Sequence, residues 1–112
     1  GSDAPSMLIT GVVVARSAFI DENPQAVSDF LDAYKQSVAY ANEHVDETAA
    51  LIGQYDIITE EGAKVALPQC AIVYIDGEEM TQALSGYLQV LYDQNPASVG
   101  GALPDEAFYY QR

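Results

Sequence analysis

The stretch Met7-Leu8-Ile9-Thr10-Gly11-Val12-Val13-Val14-Ala15-Arg16, followed by Asp21-Glu22-Asn23-Pro24, decides how the rest of the chain is read. Apolar residues fall at odd and even positions alike, so a strand formed here is apolar on both faces. That is the pattern of a central strand in a covered, largely parallel sheet. A chain of 112 residues with one or two such strands cannot cover both faces and both edges of them. The expectation is therefore an α/β fold: a helix-rich partial lobe with one long buried strand, a short strand and three to four helices.

Working outward, the long strand is expected over about 8–16. Asn23 is placed to cap a helix that has Pro24 at its first position, where proline's missing N–H costs nothing. Val27, Phe30, Leu31, Tyr34, Val38 and Ala41 then fall at helical spacing and form one apolar stripe. Asp46 is expected to cap a second, shorter helix that carries Ala49, Ala50 and Ile52 and fades near 53–55. Thr59-Glu60-Glu61 opens a third, halted by Pro68. Residues 70–75 are rich in β-formers and are expected to be extended. Beyond the turn at Asp76-Gly77, the residues Met80, Ala83, Leu84, Tyr87, Leu88, Leu91 and Tyr92 mark the best helix of the chain, ended by Asn95-Pro96. Phe108-Tyr109-Tyr110 reads as an aromatic tail that docks on a core.

Seventeen acids against four bases give a net charge of −13. The bases, Arg16, Lys35, Lys64 and Arg112, are isolated, which excludes a phosphate-binding surface for nucleic acid and argues against adsorption to anionic lipid. Cys70 is the single cysteine. An intramolecular disulfide and a thiolate metal cluster are thereby excluded, and its apolar neighbours point to a buried, inert thiol. Residues 1–6 are expected as an expression scar, Gly1-Ser2, and a flexible start, with 7–112 as the structured part.

Five acidic doublets invite a catalytic or cation-binding reading: Asp21-Glu22, Asp46-Glu47, Glu60-Glu61, Glu78-Glu79 and Asp105-Glu106. The first four lie at or just before expected helix starts. The free N–H groups and helix dipole favour negative charge there, by about 0.3–1 kcal/mol each. Capping accounts for them without chemistry. His44, the only histidine, has no neighbour suited to a base or a zinc site and is expected at the surface. Tyr34, Tyr87 and Tyr92 sit on helical stripes as core residues with a polar tip, whereas Tyr74, Tyr109 and Tyr110 are freer to touch a ligand or partner. No catalytic residue, metal ligand or cofactor is expected.

The passage Val12-Val13-Val14-Ala15-Arg16, Phe19-Ile20-Asp21-Glu22-Asn23-Pro24, Val27, Phe30-Leu31 and Tyr34 resembles the solute-binding proteins of ABC importers, in the branch that binds nitrate, sulfonates, taurine and thiamine precursors. Residues 68–80 and 100–110 also resemble a subgroup of these proteins. The resemblance implies the C-terminal part of one lobe of a type II periplasmic-binding-protein fold. It further implies an extracytoplasmic (periplasmic or lipoprotein) parent that captures a small-molecule solute for an ABC permease, without chemistry. It places the crossover between lobes just before the strand, so Ser6 and Met7 are the expected ligand-binding residues. Two other classes stand beside this one. The first is a free-standing acidic protein-interaction module. The second is a relative of the thiamine-pathway enzymes that share this fold, but those enzymes carry a cysteine-rich motif that one cysteine cannot supply. An incomplete lobe would leave the 8–15 strand with open edges, and such edges template pairing. A homo-oligomer through this strand is therefore expected.

Overall fold

The computed structural model describes residues 8–112, and its architecture is helical. Among the described residues five α-helices follow one another: α1 (Ser17–Glu22), α2 (Pro24–Glu43), α3 (Val45–Gln54), α4 (Glu60–Ala66) and α5 (Gly77–Gln94). Single 3-10 turns lie at Leu67–Gln69, Pro96–Val99 and Glu106–Phe108.

The expected α/β fold is not what forms. Among the described residues there is no strand, either at 8–16 or at 70–75. A strand is defined by its hydrogen-bonded neighbour, and residues 8–15 make no backbone hydrogen bond within the described structure. High β-propensity without a ladder leaves a segment irregular. Nor is the segment buried, since Val14 is 79% exposed and Leu8 75%. The reading failed because apolar content reports a preference for burial, not the presence of a partner that provides it.

The chain divides into two compact units. One is Ser17–Tyr74; the other joins the described residues up to Arg16 with Ile75–Arg112.

In Ser17–Tyr74, the helix starts follow their sequence signals. Pro24 is the first residue of α2, and the Thr59 hydroxyl accepts the Gly62 N–H at 3.1 Å to cap α4. Asn23 departs from expectation, because its side chain does not cap α2. Its Nδ2 turns back and donates to the Phe19 carbonyl at 3.2 Å, sealing the end of α1. The sequence reading missed α1, whose last turn holds Asp21-Glu22, although the doublet does stand just before the start of α2. Asp46-Glu47 and Glu60-Glu61 do occupy first turns. The buried core is small: Val27 and Val38 on α2, Ala49 on α3 and Ala63 on α4. The α2 stripe is only partly covered, with Phe30 50% exposed. Cys70 is exposed, not buried as expected.

The other unit is built on α5, which has Glu78-Glu79 in its first turn and no buried residue, although its apolar stripe is half-covered. Gly77 at its start has φ +61°, in the left-handed region that glycine enters without a Cβ clash. The tail is anchored to this end by polar groups. Gln111 Nε2 donates to Thr81 Oγ1 at 3.0 Å, and Arg112 Nε lies 3.7 Å from Asp76 Oδ2. Phe108 remains exposed, with Tyr109 and Tyr110 half-buried. No helix among the described residues is long and apolar enough to cross a membrane.

Candidate functional site

Ser6 and Met7, the residues expected at a ligand cleft, lie outside the described residues. One open concavity within them is in Ser17–Tyr74, at the turn from α3 into α4. It encloses about 600 Å³ and is lined by Ala50, Gly53, Gln54, Asp56, Ile58, Thr59 and Glu60. Local chemistry explains its shape. The α3 helix ends in a Schellman motif, in which the Ile57 N–H reaches the Ile52 carbonyl and the Asp56 N–H reaches the Gly53 carbonyl, both at 3.1 Å. Asp56 takes the left-handed position with φ 57°. The chain then turns sharply, and Gly53 comes so close to Glu60 that a Cβ on it would sit 3.0 Å from the Glu60 backbone nitrogen.

The rim offers acceptors, with the carboxylates of Asp56 and Glu60 and the amide of Gln54. Glu60 is engaged by Lys64 Nζ at 3.4 Å, an exposed i,i+4 pair worth a few tenths of a kcal/mol, about 0.3–0.5. An open, acceptor-rich dent of this kind holds water as readily as a solute. The sequence reading did not single it out, because its only sequence signals are those of a helix end and a helix start.

A second, smaller groove of about 260 Å³ lies in the other unit, where Ile9, Thr10, Gly11 and Val12 run along Leu84, Tyr87 and Leu88 of α5. Its walls are almost wholly apolar.

The remaining residues weighed from sequence fall in three places. His44 is exposed at the junction of α2 and α3 and stacks on Tyr40, with ring centroids 4.5 Å apart. Tyr74 tilts against Tyr34 at 5.8 Å, Tyr34 stacks on Phe30 at 5.9 Å, and Lys35 Nζ stands 5.9 Å from the Tyr74 ring centre. This is an aromatic run closed by a cation–π contact. Tyr109 meets Phe108 edge-on at 5.2 Å, and burial pushes its hydroxyl above the usual tyrosine range. Among the described residues, no three His, Cys, Asp or Glu side chains gather as a metal centre requires.

Residues 3–48 match the family model described as NMT1/THI5 like. The matched stretch runs through α1 and α2 into the first turn of α3, and it contains the valine run and the Asn23-Pro24 helix entry. It supports kinship with the solute-binding family for nitrate, sulfonates and thiamine precursors over this short segment, less than half of the chain. Residues 68–80 and 100–110 lie beyond it. No curated protein and no solved structure matches the chain.

Proposed function

We propose that this chain is the C-terminal segment of an extracytoplasmic solute-binding protein that captures a small molecule and delivers it to an ABC permease. The observation that carries this reading is the family match over 3–48, which falls on the residues whose order first suggested it. Members of that family are mostly solute-binding proteins rather than enzymes. The scarcity of buried side chains gives independent support: α5 buries none of its 18 residues, as a helix does when further chain is needed to cover it.

In this reading the parent closes on its solute because the ligand binds the closed form better than the open one. Ser6 and Met7 stand at the cleft. A net charge of −13 does not bar an anionic solute, because a few local N–H donors suffice to hold one.

The test compares the product of the complete reading frame with the 112-residue chain by calorimetry against taurine, nitrate and an aminopyrimidine. The expected result is that the complete product is secreted and binds one of these, while the shorter chain binds none. Micromolar binding by the 112 residues alone overturns the placement of the site. A complete product that stays in the cytosol and binds none of them overturns the function.

A free-standing acidic interaction module is the second reading. The exposed Val12, Val13 and Val14 favour it, since contiguous exposed apolar side chains mark contact surfaces. A start codon near Asp3 would support it.

A further inference from the structure

We propose that two copies of this chain associate through residues 10–16, which pair as an antiparallel two-stranded ladder about a two-fold axis with Val13 opposite Val13 of the second copy. The proposal does not use the family match.

Three observations carry it. The backbone of residues 8–15 makes no hydrogen bond to other backbone in the described structure, so its N–H and C=O groups are available for a ladder. Its side chains are open as well: Val12 is 60% exposed, Val13 54% and Val14 79%. β-Branched residues are those that gain most from cross-strand pairing.

The third observation selects the occupant. Two chains of charge −13 repel each other, so a contact between copies must fall where acids are absent. Residues 4–20 contain no Asp or Glu, the longest such run in the sequence, and Arg16 is their one charge. Symmetry sets the register. In an isologous antiparallel pair one residue faces its own copy. Centring on Val13 places Val12 against Val14, Gly11 against Ala15 and Thr10 against Arg16, and it ends the ladder before α1 begins at Ser17. A two-stranded contact this short falls below the roughly 800 Å² per partner of stable complexes, so the dimer depends on concentration and is not obligate.

Sedimentation of the 112-residue chain over a range of concentrations, at low and high salt, tests the proposal. A reversible monomer–dimer equilibrium that salt strengthens is expected, because screening removes the repulsion between the acidic surfaces. Val13→Lys weakens the dimer at least about tenfold by setting like charges opposite each other. Val65→Lys, on the exposed face of α4, leaves it unchanged. In a Cys70→Ser background, Val13→Cys closes an intermolecular disulfide under mild oxidation, since facing Cα atoms lie about 4.5–5.5 Å apart. Val65→Cys in the same background does not. The cross-linking arm decides the matter if Val13→Lys loses its helical circular dichroism. A monomer at every concentration and both salts overturns the proposal. So does a dimer indifferent to folded Val13→Lys, or a Val13→Cys that cross-links no faster than Val65→Cys.

Discussion

The Ile57 N–H donates to the Ile52 carbonyl at 3.1 Å, closing the end of α3 across a residue that is not glycine. That residue, Asp56, holds φ 57°, where an L side chain crowds its own backbone. The turn it makes brings α4 back against α3 and shapes the concavity lined by Gly53, Asp56 and Glu60.

Asp56→Gly is expected to stabilise this unit by up to about 1 kcal/mol, since glycine is the preferred residue at this position of a Schellman motif. Asp56→Val should destabilise it by about 1–2 kcal/mol, because a β-branched side chain tolerates left-handed φ worst. Urea denaturation of the pair gives the sign of each change.

Gly53→Ala should destabilise by about 1 kcal/mol or more, although alanine is the better helix former by a similar amount. The added Cβ meets both Cβ and backbone nitrogen of Glu60 at 3.0 Å, and backbone cannot be moved aside by a rotamer change. A thermal melt higher than wild type would mean that the approach of α4 to α3 is looser than this contact requires.

Thr48→Val should be neutral or stabilising by up to about 1 kcal/mol. Among the described residues, the buried Thr48 hydroxyl has no hydrogen-bond partner. Replacing it by a methyl group removes an uncompensated polar atom at little change in shape. Loss of more than about 1 kcal/mol in chemical denaturation would reveal a partner for the hydroxyl.

Asn42→Ala should cost about 0.5–1.5 kcal/mol. Its Nδ2 donates to the Ile72 carbonyl at 2.9 Å and ties the last turn of α2 to a segment thirty residues on. Hydrogen exchange should report the change at 70–74 more strongly than at α3 and α4, as expected when one tether is cut.

Phe30→Ala should cost less than the about 3–5 kcal/mol that a fully buried phenylalanine commands, because half its surface is already in water. The helical spacing alone argues for the full amount, so the measured loss separates the stripe read from sequence from the burial actually achieved.

Above about pH 10, Tyr109 should make stability fall. Burial raises its folded pKa above the unfolded value near 10. Between those two values the folded chain holds a proton that the unfolded chain has released. The Tyr109 contribution is therefore constant below about pH 10 and declines above it. Tyr109→Phe should flatten this alkaline decline relative to wild type in melts taken at increasing pH.

Much of the helical structure was legible in the sequence. Thr59, Pro24 and the doublets Asp46-Glu47, Glu60-Glu61 and Glu78-Glu79 mark helix starts in the structure, because capping and dipole effects act within a single turn and need no distant partner. The stripe on α5 was legible for the same local reason. His44 was expected at the surface and is there. The helix α1 escaped notice, since six residues carry too few apolar repeats to show a period.

What tertiary structure alone decided was the fate of the two β-rich segments and of Cys70. The valine run has the composition of a buried strand, yet burial and strand pairing are given by neighbours, and none among the described residues pairs with it. The concavity between α3 and α4 was equally hidden. It arises from a left-handed Asp56 and a close approach of Gly53 to Glu60, and each depends on where the chain goes next. Local rules determine which residues wind into helices; only contacts between distant residues determine what those helices cover.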